Sequence, residues 1–182
     1  VAARTAQLPP LAPGDYRVVC LGNTYHTKVA DLSAGRFDAI RFADADYLDT
    51  GAASGNDSLY YASVPVTVKE FTGKDDEQTT LVPFACSHYD VSVEVAGIPQ
   101  PDVRAGLLPM LEICGVTPCT DFENRVCGEA TDYVLETKYD AGKMLLTSRT
   151  NIMRHTNHED VNVCLRTASG ESTFVEVNLA EF

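Results

Sequence analysis

Cys114, Cys119 and Cys127, spaced Cys-x4-Cys-x7-Cys, are the densest run of potential metal or redox ligands in the sequence. Structural zinc sites pair a Cys-x2-Cys with a second Cys or His pair, and this run has neither that spacing nor a histidine beside it. With Cys20, Cys86 and Cys164 the cysteines number six. The count is even but the spacing is irregular, so it leaves the connectivity open. Buried free thiols are the first expectation. A local disulfide, with Cys114 and Cys119 as the candidate pair, is the second.

The run "HTNHED", His155 to Asp160, sets His155 and His158 three apart, with Glu159 and Asp160 following. A helical metalloprotease pair needs histidines at i and i+4 with Glu beside the first, so this reads as a solvated polar loop ahead of a strand. "DADYLD", Asp44 to Asp49, lacks the central Gly and closing Glu of a calcium loop and reads as solvated surface. No Gly-x-Ser-x-Gly elbow and no phosphate-cradling Gly loop occurs. An enzyme would need His26, His88, His155 or His158 to converge with a carboxylate in a pocket. The sequence therefore predicts no catalytic residue, no metal and no cofactor. The adjacent Tyr60 and Tyr61 fall on opposite sides of a strand; an exposed one offers a stacking surface for a sugar ring, as do Tyr25 and Tyr47. "NDS" at Asn56 fits the N-glycosylation pattern.

Strands must carry these residues. "LAPGDYRVVCLGN" feeds a Pro-Gly turn into an alternating run ending at Gly22, placing Tyr16, Val18 and Cys20 on one face. "SVPVTVKEF" alternates Val64, Val66 and Val68 against Pro65, Thr67 and Lys69. "TGKDDEQ" then "TTLVPFA" reads as the turn and return strand of a hairpin, with Pro65 and Pro83 at strand starts, bulges or edges. "YDVSVEVAG", "LPMLEICGV", "DYVLETKYD", "DVNVCLRT" and "STFVEVNL" repeat the pattern, the last two joined by a hairpin-sized link at Gly170. In these, Val91, Val93 and Val95, then Val161, Val163 and Leu165, then Val175, Val177 and Leu179 share inward faces. Helix signals are thin, and "GRFDAIRFADADYLDTG" reads as a loop-rich insertion. The fold class is all-β, a sandwich or barrel. Breaks fall at "PFACSHY" and "AGIPQPDVRAG"; the earlier, near Ala85, divides the chain into residues 1–84 and 85–182, to within about ten to fifteen residues.

The 182 residues suffice for one large domain or two small ones with buried cores. Net charge −12 disfavours nucleic acid and anionic membrane surfaces. No run reaches the roughly 18 apolar residues of a membrane span. No leader sequence opens at Val1, which is compatible with one already removed.

Taken together, "LAPGDYRVVCLGN", "GNDSLYYASVPVTV", "LVPFACSHYDVSVEVAGIP", "TDFENRV", "TSRTNIM" and "SGESTFVEVNLAEF" resemble, in order, segments of the Bacteroides-type fimbrial anchor and accessory subunits, relatives of the fimbrillin-like lipoproteins. The resemblance implies two transthyretin-like β-sandwich domains in tandem, one or both short of an edge strand, with the first strand of the N-terminal sandwich lying outside this sequence. It also implies export through the periplasm to the outer membrane or cell surface, and other fimbrial subunits as partners. Any hold on the membrane is expected through a lipid anchor not contained here. On this reading Tyr16, Val18, Cys20, Val64, Val66 and Val68 form a strand-acceptor groove or core, since a sandwich short of a strand exposes unpaired backbone beside apolar side chains. The plainer expectation is that Tyr16 to Leu21 pairs with a later strand of the same chain. The function expected is a non-catalytic structural subunit of a fimbria. The alternative is a surface glycan-binding sandwich contacting host or bacterial glycans through Tyr60 and Tyr61.

Overall fold

A computed structural model of the chain describes residues 5–70, 77–100, 105–156 and 160–181. The first half opens with β1 (Gly14–Gly22), followed by β2 (Thr27–Ala30), β3 (Arg41–Asp44), α1 (Ala45–Thr50), β4 (Tyr60–Val68) and β5 (Ala85–Cys86). β1 runs antiparallel to β4 over its whole length, from Gly14 opposite Val68 to Gly22 opposite Tyr60. The later-strand reading of Tyr16 to Leu21 is thus the one the chain adopts. The turn expected at "TGKDDEQ" lies mostly outside the described residues, and among the described residues the hairpin of "SVPVTVKEF" with "TTLVPFA" is not formed: Thr79 to Phe84 carry no strand, and β5 pairs only with Tyr60 and Tyr61. β1 occupies the whole of β4's other edge, and Pro83, which lacks an N–H, is poorly suited to continue β5's ladder backwards.

The expected loop-rich insertion contains β3 and a short helix. Asp44 caps that helix, its Oδ1 accepting from Asp46 N at 2.9 Å and Tyr47 N at 3.3 Å, and Gly51 ends it at φ 76°. Asp44 is buried, not solvated surface, and desolvation holds its carboxyl above the usual range. Next to it the Asp57 carboxylate accepts from His26 N, Thr27 N and Thr27 Oγ1, each at 2.8 Å, fixing the start of β2.

The second half contains β6 (His88–Ala96), β7 (Met110–Val116), β8 (Cys119–Asp121), β9 (Thr131–Val134), β10 (Lys138–Asp140), β11 (Leu145–Met153), β12 (Asn162–Arg166) and β13 (Thr173–Asn178). Among the described residues four antiparallel sheets result, in strand orders β1-β4-β5, β2-β3-β8, β10-β11-β6 and β13-β12-β7-β9. The fold is all-β, as the alternating runs require. The last two sheets enclose the larger core: Ile98, Leu111, Ile113, Val116, Tyr133, Leu135, Leu146, Ile152 and Leu165, backed by Val91, Val93, Val95, Val161, Val163 and Leu179. Val175, expected inward, is exposed on β13, which ends its sheet. Gly115, at φ 78°, sits where the β7–β9 register shifts, its N–H donating to Asp132 Oδ1 at 3.1 Å. The smaller core is Phe42, Leu59 and Met153 with Leu21, Tyr61 and Phe122. β8, from the second half, completes the sheet of β2 and β3, so the two halves interleave there.

Candidate functional site

The register of β1 on β4 puts every residue of the expected groove on one surface. Side chains directly opposite in an antiparallel pair project to the same face. Tyr16 faces Val66, Val18 faces Val64, and Cys20 faces Ala62. Val68 lies opposite Gly14 at the end of the same row. Tyr16, Val18, Cys20, Val64 and Val66 are half-buried there, while Val68 and Ala62 are buried. None of the six belongs to either core. The other face of the ribbon does meet the smaller core, through Leu21 and Tyr61. Further along that face Arg17 pairs with Glu123 at 3.1 Å and lies 5.8 Å from the centre of the Phe37 ring. The apolar row is therefore turned away from the sheet of β2, β3 and β8.

Pro65 identifies which backbone groups of β1 are unpaired. It has no N–H, so its pair with Arg17 cannot exchange two ladder hydrogen bonds. Such pairs alternate along the ladder, so Asp15–Thr67, Val19–Ser63 and Leu21–Tyr61 are of the same kind, with backbone groups pointing away from the partner strand. The Thr67 carbonyl points that way: it accepts from Gln78 Nε2 at 2.9 Å on the far side of β4. It follows that the N–H and C=O groups of Asp15, Arg17, Val19 and Leu21 line the outer edge of β1. Among the described residues no strand pairs there. Among the described residues no strand pairs with β4 past Tyr61 on its far side either, where the Gln78 side chain and the missing N–H of Pro65 blunt it.

The remaining candidates are dispersed. Tyr60 is 40% exposed and meets His88 edge-to-face at 5.8 Å. Tyr61 points the opposite way and donates to the Phe122 carbonyl. Tyr47 donates to the Glu129 carbonyl at 2.8 Å, and Tyr25 stands exposed on its own loop. Asn56 is no glycan attachment point: its Nδ2 is buried and its Oδ1 accepts from the Tyr133 hydroxyl.

His88 Nδ1 contacts the Leu59 carbonyl at 2.9 Å and His155 Nε2 the Cys119 carbonyl at 3.1 Å. His155 is buried beneath β8, so this part of "HTNHED" is not a solvated loop; His158 and Glu159 lie outside the described residues. A shallow cleft of about 400 Å³ is lined, among the described residues, by Ala85, Cys86, Tyr89, Asn124, Arg154, His155 and Thr156, none of them a carboxylate. Among the described residues one trio, Glu112, Cys114 and Asp132, has metal-ligand proximity. A guanidinium already fills that role: Arg166 Nε lies 2.6 Å from Glu112, and its Nη2 lies 3.8 Å from Asp132 and 3.5 Å from Cys114 Sγ.

Cys114 and Cys119 are not brought together. Cys114 Sγ lies 2.8 Å from Cys164 Sγ, and Cys119 Sγ 2.8 Å from Cys127 Sγ. Two residues separate β7 from β8, yet the strands enter different sheets, which carries the two thiols apart. Sequence reading did not reach Cys164, and within the run from Cys114 to Cys127 it favoured Cys119 with Cys114 over Cys119 with Cys127. The turn-rich "DFEN" between Cys119 and Cys127 was the available signal for the second pair; nothing short of the β7–β12 register gives the first.

Solved structures resemble this architecture. A protein of Bacteroides ovatus solved as a proposed adhesin superposes with a TM-score of 0.70 at 19% identity, covering 94% of this chain and 58% of that one. A second such protein of that species gives 0.64 at 13% identity, covering 94% and 67%. The fimbrial anchor protein Mfa2 of Porphyromonas gingivalis gives 0.65 at 16% identity, covering 94% and 62%. The chain thus spans about three-fifths of the first of these. No curated protein matches it by sequence. The family model for fimbrillin-A associated anchor proteins Mfa1 and Mfa2 matches residues 1–182, and the chain belongs to that family.

Proposed function

We propose that the chain is a non-catalytic structural subunit of a cell-surface fimbria, an anchor, adaptor or tip component, that joins its neighbour by accepting a strand along the outer edge of β1. One observation carries this reading: the edge lined by Asp15, Arg17, Val19 and Leu21 has no partner strand among the described residues, and an apolar row outside both cores adjoins it. An added strand gains affinity from backbone hydrogen bonds, each worth about 0.5–1.5 kcal/mol net, and register from alternate side chains packing on that row. Tyr16, Val18, Cys20, Val64, Val66 and Val68 are the residues it would extend. Family membership supports the fimbrial context and other fimbrial subunits as partners. It also supports export through the periplasm to the outer membrane.

Within this reading the chain divides near Ala85 into units of residues 1–84 and 85–182, the second lending β8 to the first. Glycan binding is the weaker alternative, because Tyr60 and Tyr61 point to opposite faces and Tyr47 is tied to the backbone of Glu129. The test is co-purification from the envelope of the source organism. Wild-type chain should bring down fimbrial subunits, and an Arg17→Pro chain that lacks one edge N–H, its folding checked by circular dichroism, should not. Equal recovery by both would reject strand addition at β1.

A further inference from the structure

In the structure all six cysteines are free thiols, yet four of them stand in two close pairs. Cys114 and Cys164 lie on the neighbouring strands β7 and β12. Cys114 is opposite Asn162 and Cys164 opposite Glu112, so the two are diagonal neighbours whose sulfurs meet at 2.8 Å. Cys119 and Cys127 close a short loop that the fold already fastens. Cys127 N donates to Cys119 O at 3.3 Å, and Thr120 and Val126 form a bridge inside it. Each pair joins a buried sulfur, Cys164 or Cys119, to a half-buried one, Cys114 or Cys127.

We infer that Cys114–Cys164 and Cys119–Cys127 are disulfide bonds in the oxidised protein, leaving Cys20 and Cys86 as free thiols. Each forms by exchange with an external disulfide, such as an oxidised dithiol catalyst or oxidised glutathione. A protein thiolate attacks one sulfur of the external disulfide, whose S–S bond breaks and releases the other sulfur as a thiol. The partner protein thiolate then attacks the mixed disulfide, forming the internal S–S bond and releasing the second thiol. Two protein thiols lose two protons and two electrons, and the external disulfide gains both.

For the first pair the order of events follows from the surroundings. Cys114 is the more accessible sulfur, with the Arg166 guanidinium 3.5 Å away, and so meets the external disulfide first. Cys164 is buried with the Cys114 sulfur 2.8 Å away, which places it in the second, intramolecular step. Cys86, exposed, rests against His88 Nδ1 at 3.3 Å with no sulfur beside it, and Cys20 belongs to the β1 face. The two bonds would act differently. One closes a loop of eight residues' separation on β8; the other ties β7 to β12 across fifty.

The inference goes beyond the fimbrial reading and is tested apart from it, on purified full chain exposed to oxidised glutathione. Free thiols are alkylated under denaturing conditions, and the intact mass and proteolytic peptides are then read without reduction. Expected are two linked peptide pairs, Cys114–Cys164 and Cys119–Cys127, alkylation of Cys20 and Cys86 only, and a Tm that falls by about 5–15 °C on reduction. Cys164→Ser and Cys127→Ser should each remove one linkage and retain the other. Should either variant fail to fold, the wild-type map still decides. Alkylation of any of the four cysteines, or a Cys114–Cys119 link, would overturn it.

Discussion

The sandwich of β6, β7 and β9–β13 and the smaller assembly of β1–β5 with β8 solve the same packing problem to different degrees. The first buries nine side chains between its two sheets, with valines from β6 and β12 sealing both walls. The second gathers Phe42, Leu59 and Met153 against one face of the β1–β4 ribbon, while the other, valine-rich face is half-buried, with only Ala62 and Val68 buried, and joins neither cluster. A small core gives small stability, and an open edge beside an apolar face invites another chain. One half thus buries both walls of its core with its own strands, while the other carries the edge at which strand addition is proposed.

The comparison can be broken first at the ladder. Val18 pairs with Val64 through backbone hydrogen bonds, whereas Arg17 directs its N–H to the open edge. Val18→Pro should therefore cost about 3 kcal/mol or more, and Arg17→Pro less than about 1 kcal/mol, in denaturant unfolding. Similar costs for both would refute the edge assignment. Next come the cores. Leu146→Ala should lose about 3–5 kcal/mol, and Leu59→Ala, in a thinner surround that relaxes more easily, about 2–3 kcal/mol. Calorimetry should give the same order of Tm loss.

Third, Asp57→Ala strips three donors at the start of β2 and should cost about 2–3 kcal/mol, loosening the smaller assembly while hydrogen exchange in β6 and β11 stays slow. The smallest effect belongs to the surface pair Asp90–Arg149, whose guanidinium holds the Asp90 carboxyl below the usual carboxylate range. With the folded value depressed, its contribution is present above about pH 4 and disappears as pH falls through the folded value. Asp90→Asn should thus lower Tm slightly at pH 7, the difference shrinking as pH falls through the folded value.

How much of this was legible in the sequence depended on the range of the interaction. The alternation in β6 and β12 is local, and Val91, Val93, Val95, Val163 and Leu165 face the core as their period of two requires. The partner of β4 was not legible, because sequential hairpins are the natural guess and the strand that pairs with it lies about forty residues upstream. Asp44 looked like one of a solvated acidic run; only a short helix beginning at Ala45 makes it a buried cap. Tyr16, Val18, Cys20, Val64, Val66 and Val68 fall on one face of their strands as a period of two requires, yet which face of the ribbon meets a core could not be known before the other sheet was placed. The contact of Cys114 with Cys164 was not legible for the same reason, since sulfurs two residues off register meet only once β7 and β12 are aligned.

Amide hydrogen exchange at Asp15, Arg17, Val19 and Leu21, measured on the isolated chain and again on the chain assembled with fimbrial subunits, tests the central claim most directly. The account predicts fast exchange at these four in isolation, slow exchange at Tyr16, Val18 and Cys20 in both states, and protection of all seven on assembly. Protection of the four in the isolated chain, or exchange unchanged on assembly, would contradict it.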